Sequence, residues 1–312
     1  MNLINFIERF PDEDSCKRVF KEFRDKQGVV CHNCGHTEHY WLQNKMQYEC
    51  KACKSRQSLK SGTVMHKSQL PFKYWFIAIH LLTSTKKSFS ALELQRQLGH
   101  KYYEPIWSML HKLRAVMGKR DSQYQLDQLI ELDEGFFQSP DTDKKKHDEE
   151  KPKRGRGSQS QSKVLVMVSS KISMDKTKDI KKYKKPSQLK YIKMHVINDL
   201  KGATIDKEVK ENIKKDSVIK TDDFRSYSKL DTIVWRHFPS KVPKEELKTA
   251  FPWIHTMISN AKRNLLGINH MTSKKYLQNY LNEFCYKVNR RYFGDNLFDR
   301  LLIASVANTW RP

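Results

Sequence analysis

Residues 128–137, QLIELDEGFF, are the stretch that decides the fold of the second half of this chain. Leu129, Ile130 and Leu132 surround acidic positions, and this pattern predicts a mostly buried β-strand. A carboxylate next to such an apolar run is costly unless it is solvated or paired with a cation. Asp133 is therefore a candidate for binding a cation.

The sequence leaves open which carboxylates have this role. Glu131 and Glu134 flank Asp133 as rival ligands, and Asp is also common at strand ends and helix N-caps for structural reasons alone. A second apolar run, from residue 218, ends in the pair Asp222 and Asp223. The pair leaves the choice between these two aspartates open.

Further strands and helices are predicted along the rest of the chain. The predicted strands and helices are a strand over 163–168, a strand over 192–197, a strand over 218–221, and helices over 255–266, 275–291 and 297–306. Three strands linked as a meander, then a fourth strand ending in Asp and a later helix with polar residues, is the order of a ribonuclease-H-like α/β core. Residues 139–162 are rich in Lys, Asp, Gly and Ser, and we expect a mobile basic insertion there.

The charge of the chain indicates its partner. Its 312 residues include 59 Lys plus Arg against 35 Asp plus Glu, a formal net charge of +24. Such an excess favours a polyanion, and we expect a nucleic acid. An anionic membrane is the competing partner, but no apolar run approaches the ~20 residues of a membrane span and no lipidation motif is present.

Two CxxC pairs near the start of the chain indicate one structural zinc ion. The four predicted ligands are Cys31, Cys34, Cys50 and Cys53. This spacing is typical of a zinc ribbon, and a site closed by four thiolates stabilises a module without performing chemistry. Two disulfides are the alternative, but they would leave Cys16 and Cys285 unpaired, and no signal peptide is apparent. Neighbouring His32, His36 or His39 could replace one cysteine.

Three helical patterns follow the ribbon, over 71–82, 90–99 and 104–117, with a turn at Gly99. They are typical of a helix-turn-helix, in which the later helix enters the major groove of DNA. The candidate contacts are Tyr102, Tyr103, Trp107, His111, Lys112 and Arg114. A plain three-helix bundle with solvated basic residues is the alternative.

Several motifs in a specific order carry a resemblance to a known family. They are the two CxxC pairs, LPFKYWFIAIHLLTSTKKSFSALELQRQLG (70–99), ELDEGFF (131–137), TDDFRSY (221–227), HTMISNAKRNLLGINH (255–270) and YLNEFCYKVNRR (280–291). Over nearly its whole length the chain resembles DDE-type transposases of bacterial insertion sequences, in the ISXO2-like subgroup with a zinc ribbon and an Asp-Asp-Asn-Lys signature.

The resemblance implies a site and a domain plan. Asp133 and Asp222 would be the catalytic aspartates, and Asn260 would replace the usual Glu, with Lys262 two residues later. One or two Mg²⁺ or Mn²⁺ ions would bind Asp133, Asp222 and Asn260, while Lys262 and Arg263 would face DNA phosphate. The implied domains are a helix and zinc ribbon over 1–62, a helix-turn-helix segment over 63–122 and the catalytic domain over 123–312.

The resemblance implies a protein that binds double-stranded DNA, both the terminal inverted repeats and the target DNA, and that catalyses metal-dependent cleavage and strand transfer. We expect a homodimer or higher oligomer on DNA, because two ends must meet. The expected location is the bacterial cytoplasm, at the nucleoid when bound to DNA. The alternatives are a catalytically silent DNA-binding descendant, which the missing Glu favours, and a simple metal-dependent nuclease.

Overall fold

The computed structural model describes residues 1–139, 160–172, 187–241, 243 and 250–309. In chain order the helices and strands are α1 Leu3–Arg9, α2 Glu13–Gln27, β1 His39–Leu42, β2 Gln47–Cys50, β3 Arg56–Ser58, α3 Phe72–Ser84, α4 Ala91–Leu98, α5 Tyr103–Asp121, β4 Leu129–Gln138, β5 Gln161–Ile172, β6 Ser187–Ile197, α6 Gly202–Asn212, β7 Val218–Asp222, β8 Arg236–Ser240, α7 Ile254–Asn269, α8 Lys274–Asn289 and α9 Leu297–Ala307. Most of the predicted basic insertion, residues 140–159, lies outside the described residues.

The chain divides into two compact units, Met1–Arg120 with Arg290–Pro312, and Asp121–Asn289. The division after Arg120 lies close to the predicted boundary at 122/123. Residues 290–312 were expected in the catalytic domain, and the structure groups them with the N-terminal unit instead.

Aromatic packing explains why the C-terminal helix α9 belongs to the first unit. The ring of Phe298 on α9 lies 5.4 Å from the ring of Phe10 and 5.9 Å from those of Phe6 and Phe76. All four rings are buried. Burying a phenylalanine side chain contributes about 1.5–3 kcal/mol, so this cluster holds α9 in the first unit.

The first unit contains the ribbon and a group of three helices. Strand β2 is central in a three-stranded antiparallel sheet with β1 and β3 on either side. The hydroxyl of Ser90 caps α4 by accepting a hydrogen bond of 3.0 Å from the backbone N–H of Glu93. Gly99 ends the helix in the left-handed conformation, with φ of +60°, which glycine adopts without strain.

The second unit is a five-stranded mixed sheet in the order β6-β5-β4-β7-β8. Strands β4, β5 and β6 form the predicted antiparallel meander. Strand β7 pairs in parallel with β4, and β8 pairs in parallel with β7. Helix α6 shares a core with one face of the sheet, and α7 and α8 share a core with the other. This is the ribonuclease-H-like α/β arrangement predicted from the sequence.

Nowhere in the described parts of the chain is a helix both long and apolar enough to cross a bilayer.

Candidate active site and zinc centre

The four cysteines of the ribbon converge on one point. Their Sγ atoms all lie within 4.8 Å of one another, and Cys31–Cys53 and Cys34–Cys50 are each 3.6 Å apart. Sulfur atoms bound tetrahedrally at ~2.3 Å from a zinc ion stand roughly 3.8 Å apart. The four side chains therefore fit one structural zinc ion.

The histidines near the cysteines have other partners. The Nδ1 of His32 lies 3.3 Å from Oε1 of Gln57, and the Nδ1 of His39 lies 3.1 Å from the carbonyl oxygen of Thr37. The contacts of His32 and His39 favour the four-cysteine ligand set over one in which either of these histidines replaces a cysteine.

The register of the parallel pair β4 and β7 aligns two carboxylates. Leu129 pairs with Val218 and Glu131 with Lys220. Continuing this register by two residues places Asp133 level with Asp222, and the alternation of side chains in strands puts both on the same face of the sheet. Both residues are half-buried. Two aspartates far apart in the chain are thus aligned on neighbouring strands, on the same face of the sheet.

Each of the rival glutamates has a separate structural contact. The Oε2 of Glu131 accepts hydrogen bonds from the backbone N–H groups of Trp253 and Ile254, at 3.0 and 2.8 Å, where α7 begins. Glu134 points to the opposite face and accepts a hydrogen bond of 2.6 Å from the hydroxyl of Tyr227. These contacts distinguish Asp133 from its two neighbours.

Asp222 and Asp223, the two neighbouring candidates after β7 begins, differ in their surroundings. Asp223 is exposed and its carboxylate lies 3.2 Å from the ammonium of Lys241. The Oδ1 of Asp222 accepts a hydrogen bond of 3.2 Å from the N–H of Phe224, which holds it at the end of β7. Strand alternation places Asp222, and not Asp223, on the face of Asp133.

Helix α7 adds His255, which lies near the expected site in the sequence but which the sequence alone does not distinguish from a structural histidine. The Nδ1 of His255 lies 3.6 Å from Oδ2 of Asp133. Burial lowers the pKa of His255, while the negative charge of Asp222 acts in the opposite direction. His237, another histidine near this part of the chain, contacts Thr221 on the other face of the sheet, at 2.8 Å. The strand register and the position of α7 distinguish His255 from His237. Neither the register nor the helix position can be read from the sequence.

The other predicted residues of α7 do not all share one side of the helix. The ammonium of Lys262 lies 5.6 Å from the ring centre of Phe137 on β4. Lys262 follows His255 by seven residues, so the two differ by only about 20° around the helix axis. Asn260 follows His255 by five residues and lies roughly 140° away from it. Asn260 and Arg263 are both exposed.

Two of the predicted DNA contacts in α5 are buried, and those assignments are wrong. His111 is 2% exposed, and the centre of its ring lies 4.2 Å from that of Trp107, with the two ring planes tilted by 46°. Arg114 is 1% exposed, and its guanidinium donates a hydrogen bond of 3.1 Å to the carbonyl oxygen of Phe89. Both side chains pack inside the first unit, which removes them from any DNA surface.

The other four candidates of this segment remain accessible to different degrees. Tyr102 is 57% exposed and Tyr103 is 42% exposed. Trp107 and Lys112 are half-buried, and the ammonium of Lys112 lies 3.3 Å from the carbonyl oxygen of His66. The start of α5 is therefore its accessible part.

Replacing Tyr227 with Phe should destabilise the second unit. The change removes the hydroxyl that donates to the buried Glu134, and a buried polar group that loses a partner costs about 1–3 kcal/mol. Urea unfolding measures the loss. Tyr191→Phe, at a partly exposed ring, is the control and should change the stability by less than about 0.5 kcal/mol. Equal stabilities of the two variants would show that the Tyr227 contact contributes nothing.

Comparison with known proteins follows the two parts of the chain. A family model described as ISXO2-like transposase domain matches residues 125–289, and a model described as transposase zinc-ribbon domain matches residues 11–56. No curated protein sequence matches the chain.

Weak structural similarity is found to crystal structures of the Mos1 system. For the Mos1 strand transfer complex the identity is 13%, the match covers 78% of this chain and 81% of that chain, and the TM-score is 0.27. For a pre-cleavage Mos1 transpososome the identity is 12%, the coverage is 78% and 82%, and the TM-score is again 0.27.

Proposed function

The chain belongs to the ISXO2-like transposase family. We propose that it binds the terminal inverted repeats of an insertion sequence and that it cleaves and joins DNA in an active site built on Asp133 and Asp222. The observation that carries this proposal is the register of β4 and β7, which aligns the two carboxylates on one face of the sheet. Paired carboxylates are the ligands that Mg²⁺ and Mn²⁺ prefer in phosphoryl transfer.

The two aspartates fit a divalent metal site by their chemistry. Each is half-buried at the edge of the core and offers hard oxygen ligands. A bound divalent cation would supply activation of the attacking oxygen and stabilisation of the leaving oxygen. One or two ions, Mg²⁺ or Mn²⁺, are compatible with this pair of carboxylates.

Cationic side chains on the same face would bind the DNA phosphates. Lys220 lies two residues before Asp222 on β7, so strand alternation puts the two side chains on the same face of the sheet. Arg236 on β8 pairs with Val218, which lies two residues before Lys220, so Arg236 also faces that side. Lys262 extends from α7 on the side of His255, and Arg263 is exposed beside it. These cations favour a polyanion at the site, since they offset the charge of the phosphates.

Helices α3, α4 and α5 would act as the helix-turn-helix that reads the DNA ends. Exposed Tyr102 and Tyr103 lie at the start of α5, and the ammonium of Lys101 lies 5.3 Å from the ring centre of Tyr102. The beginning of a recognition helix is the part that contacts base edges in this motif. The zinc ribbon would add to the DNA contacts, as a module stapled by Cys31, Cys34, Cys50 and Cys53.

A double substitution, Lys101→Ala with Tyr102→Ala, should weaken binding to the inverted repeat by at least about thirty-fold, because contacts to bases are worth ~1–3 kcal/mol each and two of them are removed. Fluorescence anisotropy at fixed salt measures the affinity. Lys119→Ala is the control: it removes one positive charge near the far end of α5, roughly 24 Å along the helix from Tyr103. Equal losses in the two variants would contradict recognition by the start of α5.

The activity is tested with a labelled duplex that carries the element's own terminal repeat, incubated with Mg²⁺ or Mn²⁺. Cleavage at the repeat boundary followed by joining to target DNA supports the transposase. Specific binding without cleavage supports a catalytically silent DNA-binding protein, and cleavage without preference for the repeat supports a simple nuclease. Because two ends must meet, a complex with two copies of the chain on paired ends is expected by analytical ultracentrifugation.

A further inference from the structure

We propose that His255, and not Asn260, is the third protein ligand of the catalytic metal ion beside Asp133 and Asp222. This inference rests on the proposed function, because it requires a metal at the two aspartates. It changes the identity of the site from two carboxylates and an amide to two carboxylates and an imidazole.

The separation of the side chains fits a shared ion. The Nδ1 of His255 lies 3.6 Å from Oδ2 of Asp133. Two neighbouring ligand atoms, each about 2.1 Å from a metal ion, stand roughly 3 to 4 Å apart. An ion can therefore contact both atoms with little movement. The side chain of His255 is 40% exposed, which leaves the site open to solvent and to a DNA phosphate.

The start of α7 is fixed to the strand that contains Asp133. Glu131, two residues before Asp133, accepts hydrogen bonds from the N–H groups of Trp253 and Ile254. Ile254 directly precedes His255, so this contact fixes the position of the histidine beside the strand. A carboxylate at a helix N-terminus also interacts favourably with the helix dipole. The imidazole is thus positioned by the core of the fold and not by a loop.

The side of α7 that carries Asn260 is turned away from His255. The residues that α7 buries in the core are Ile254, Met257, Ile258 and Ala261. Rotating the helix by about 140° to bring Asn260 to the position of His255 would pull these side chains out of the core. Burying each large apolar side chain contributes about 1.5–3 kcal/mol, so such a rotation is strongly disfavoured.

The chemistry of imidazole makes a distinct prediction about the ion. Nitrogen ligands suit Mn²⁺ and later transition metals better than Mg²⁺, which prefers oxygen. An imidazole in the site should therefore raise the affinity for Mn²⁺ relative to Mg²⁺. Loss of His255 should reduce this preference, while loss of Asn260 should leave it unchanged.

Mn²⁺ binding to the zinc-loaded full chain tests the inference without using catalysis. Electron paramagnetic resonance of free Mn²⁺ gives the Kd for the wild type, His255→Ala, Asn260→Ala and Asp133→Asn, with Thr256→Ala as a control on the same turn. We expect His255→Ala to raise the Kd by at least about ten-fold, and Asn260→Ala and Thr256→Ala to change it by less than about two-fold. His255→Gln, which keeps a neutral polar side chain, should give a smaller increase than His255→Ala.

The outcomes separate the two proposals. A raised Kd for Asn260→Ala with an unchanged Kd for both His255 variants would overturn this inference and leave the proposed function standing. A wild type that binds no Mn²⁺, or an Asp133→Asn variant that binds it as the wild type does, would overturn both. Competition with Mg²⁺ gives a second readout: a Mg²⁺/Mn²⁺ preference that His255→Ala does not change also contradicts the inference.

Discussion

Replacement of Asp133 or of Asp222 by asparagine is expected to abolish DNA cleavage and strand transfer while leaving DNA binding intact. Asparagine keeps the size of the side chain but removes the negative charge that holds a divalent cation. A loss of about 4 kcal/mol in stabilisation of the transition state corresponds to roughly a thousand-fold lower rate. Cleavage of a labelled terminal repeat under single-turnover conditions measures the effect.

Asp223 provides the matched control for this experiment. It is adjacent to Asp222, is exposed, and pairs with Lys241 at 3.2 Å. Asp223→Asn makes the same chemical change one residue away and should keep the rate within about two-fold, since exposed ion pairs contribute little. An active Asp222→Asn variant together with an inactive Asp223→Asn variant would show that the register has been assigned to the wrong aspartate.

Loss of the zinc ligands is expected to unfold the ribbon and to abolish binding to the terminal repeat. Cys50 is fully buried and its Sγ lies 3.6 Å from that of Cys34. Structural zinc supplies about 10–16 kcal/mol in small modules, which matches or exceeds the whole stability of a typical domain. Cys50→Ser should therefore lose zinc and expose residues 29–58 to protease. Zinc content by atomic absorption and limited proteolysis measure the two effects.

His32→Ala is the control within the same knuckle. It removes a potential ligand that the structure places 3.3 Å from Gln57, and it should keep one zinc ion per chain. Retention of zinc by Cys50→Ser, or its loss from His32→Ala, would contradict the four-cysteine site.

Much of the fold follows from local patterns in the sequence. The strand over 129–138 can be predicted because its apolar residues form a short run that is typical of a buried strand. The ribbon can be predicted because the two CxxC pairs have the spacing of zinc knuckles. The sequence also predicts the final helix, α9, but it does not predict which of the two units this helix packs in. Phe298 packs with rings more than 200 residues earlier in the chain, and such long-range contacts leave no local signal.

The site is less visible than the fold, because it depends on register and on the rotation of one helix. The pairing of Leu129 with Val218 decides that Asp222 and not Asp223 meets Asp133, and a shift of one residue would reverse this choice. Arg114 is charged, which ordinarily indicates exposure, yet it is buried with its guanidinium bonded to a carbonyl oxygen. His255 and His237 both lie near the expected site in the sequence, and only the distance of His255 from Asp133 separates a site residue from a structural one.

The most direct test of the central claim is an anomalous difference map from a crystal of this protein soaked in Mn²⁺. We expect a peak within about 2.3 Å of a carboxylate oxygen of Asp133 and of one of Asp222, on the face of the sheet that α7 covers. A map with no peak at these two aspartates, in a crystal where Mn²⁺ fully occupies another site and the two carboxylates point away from each other, would contradict a metal site at Asp133 and Asp222.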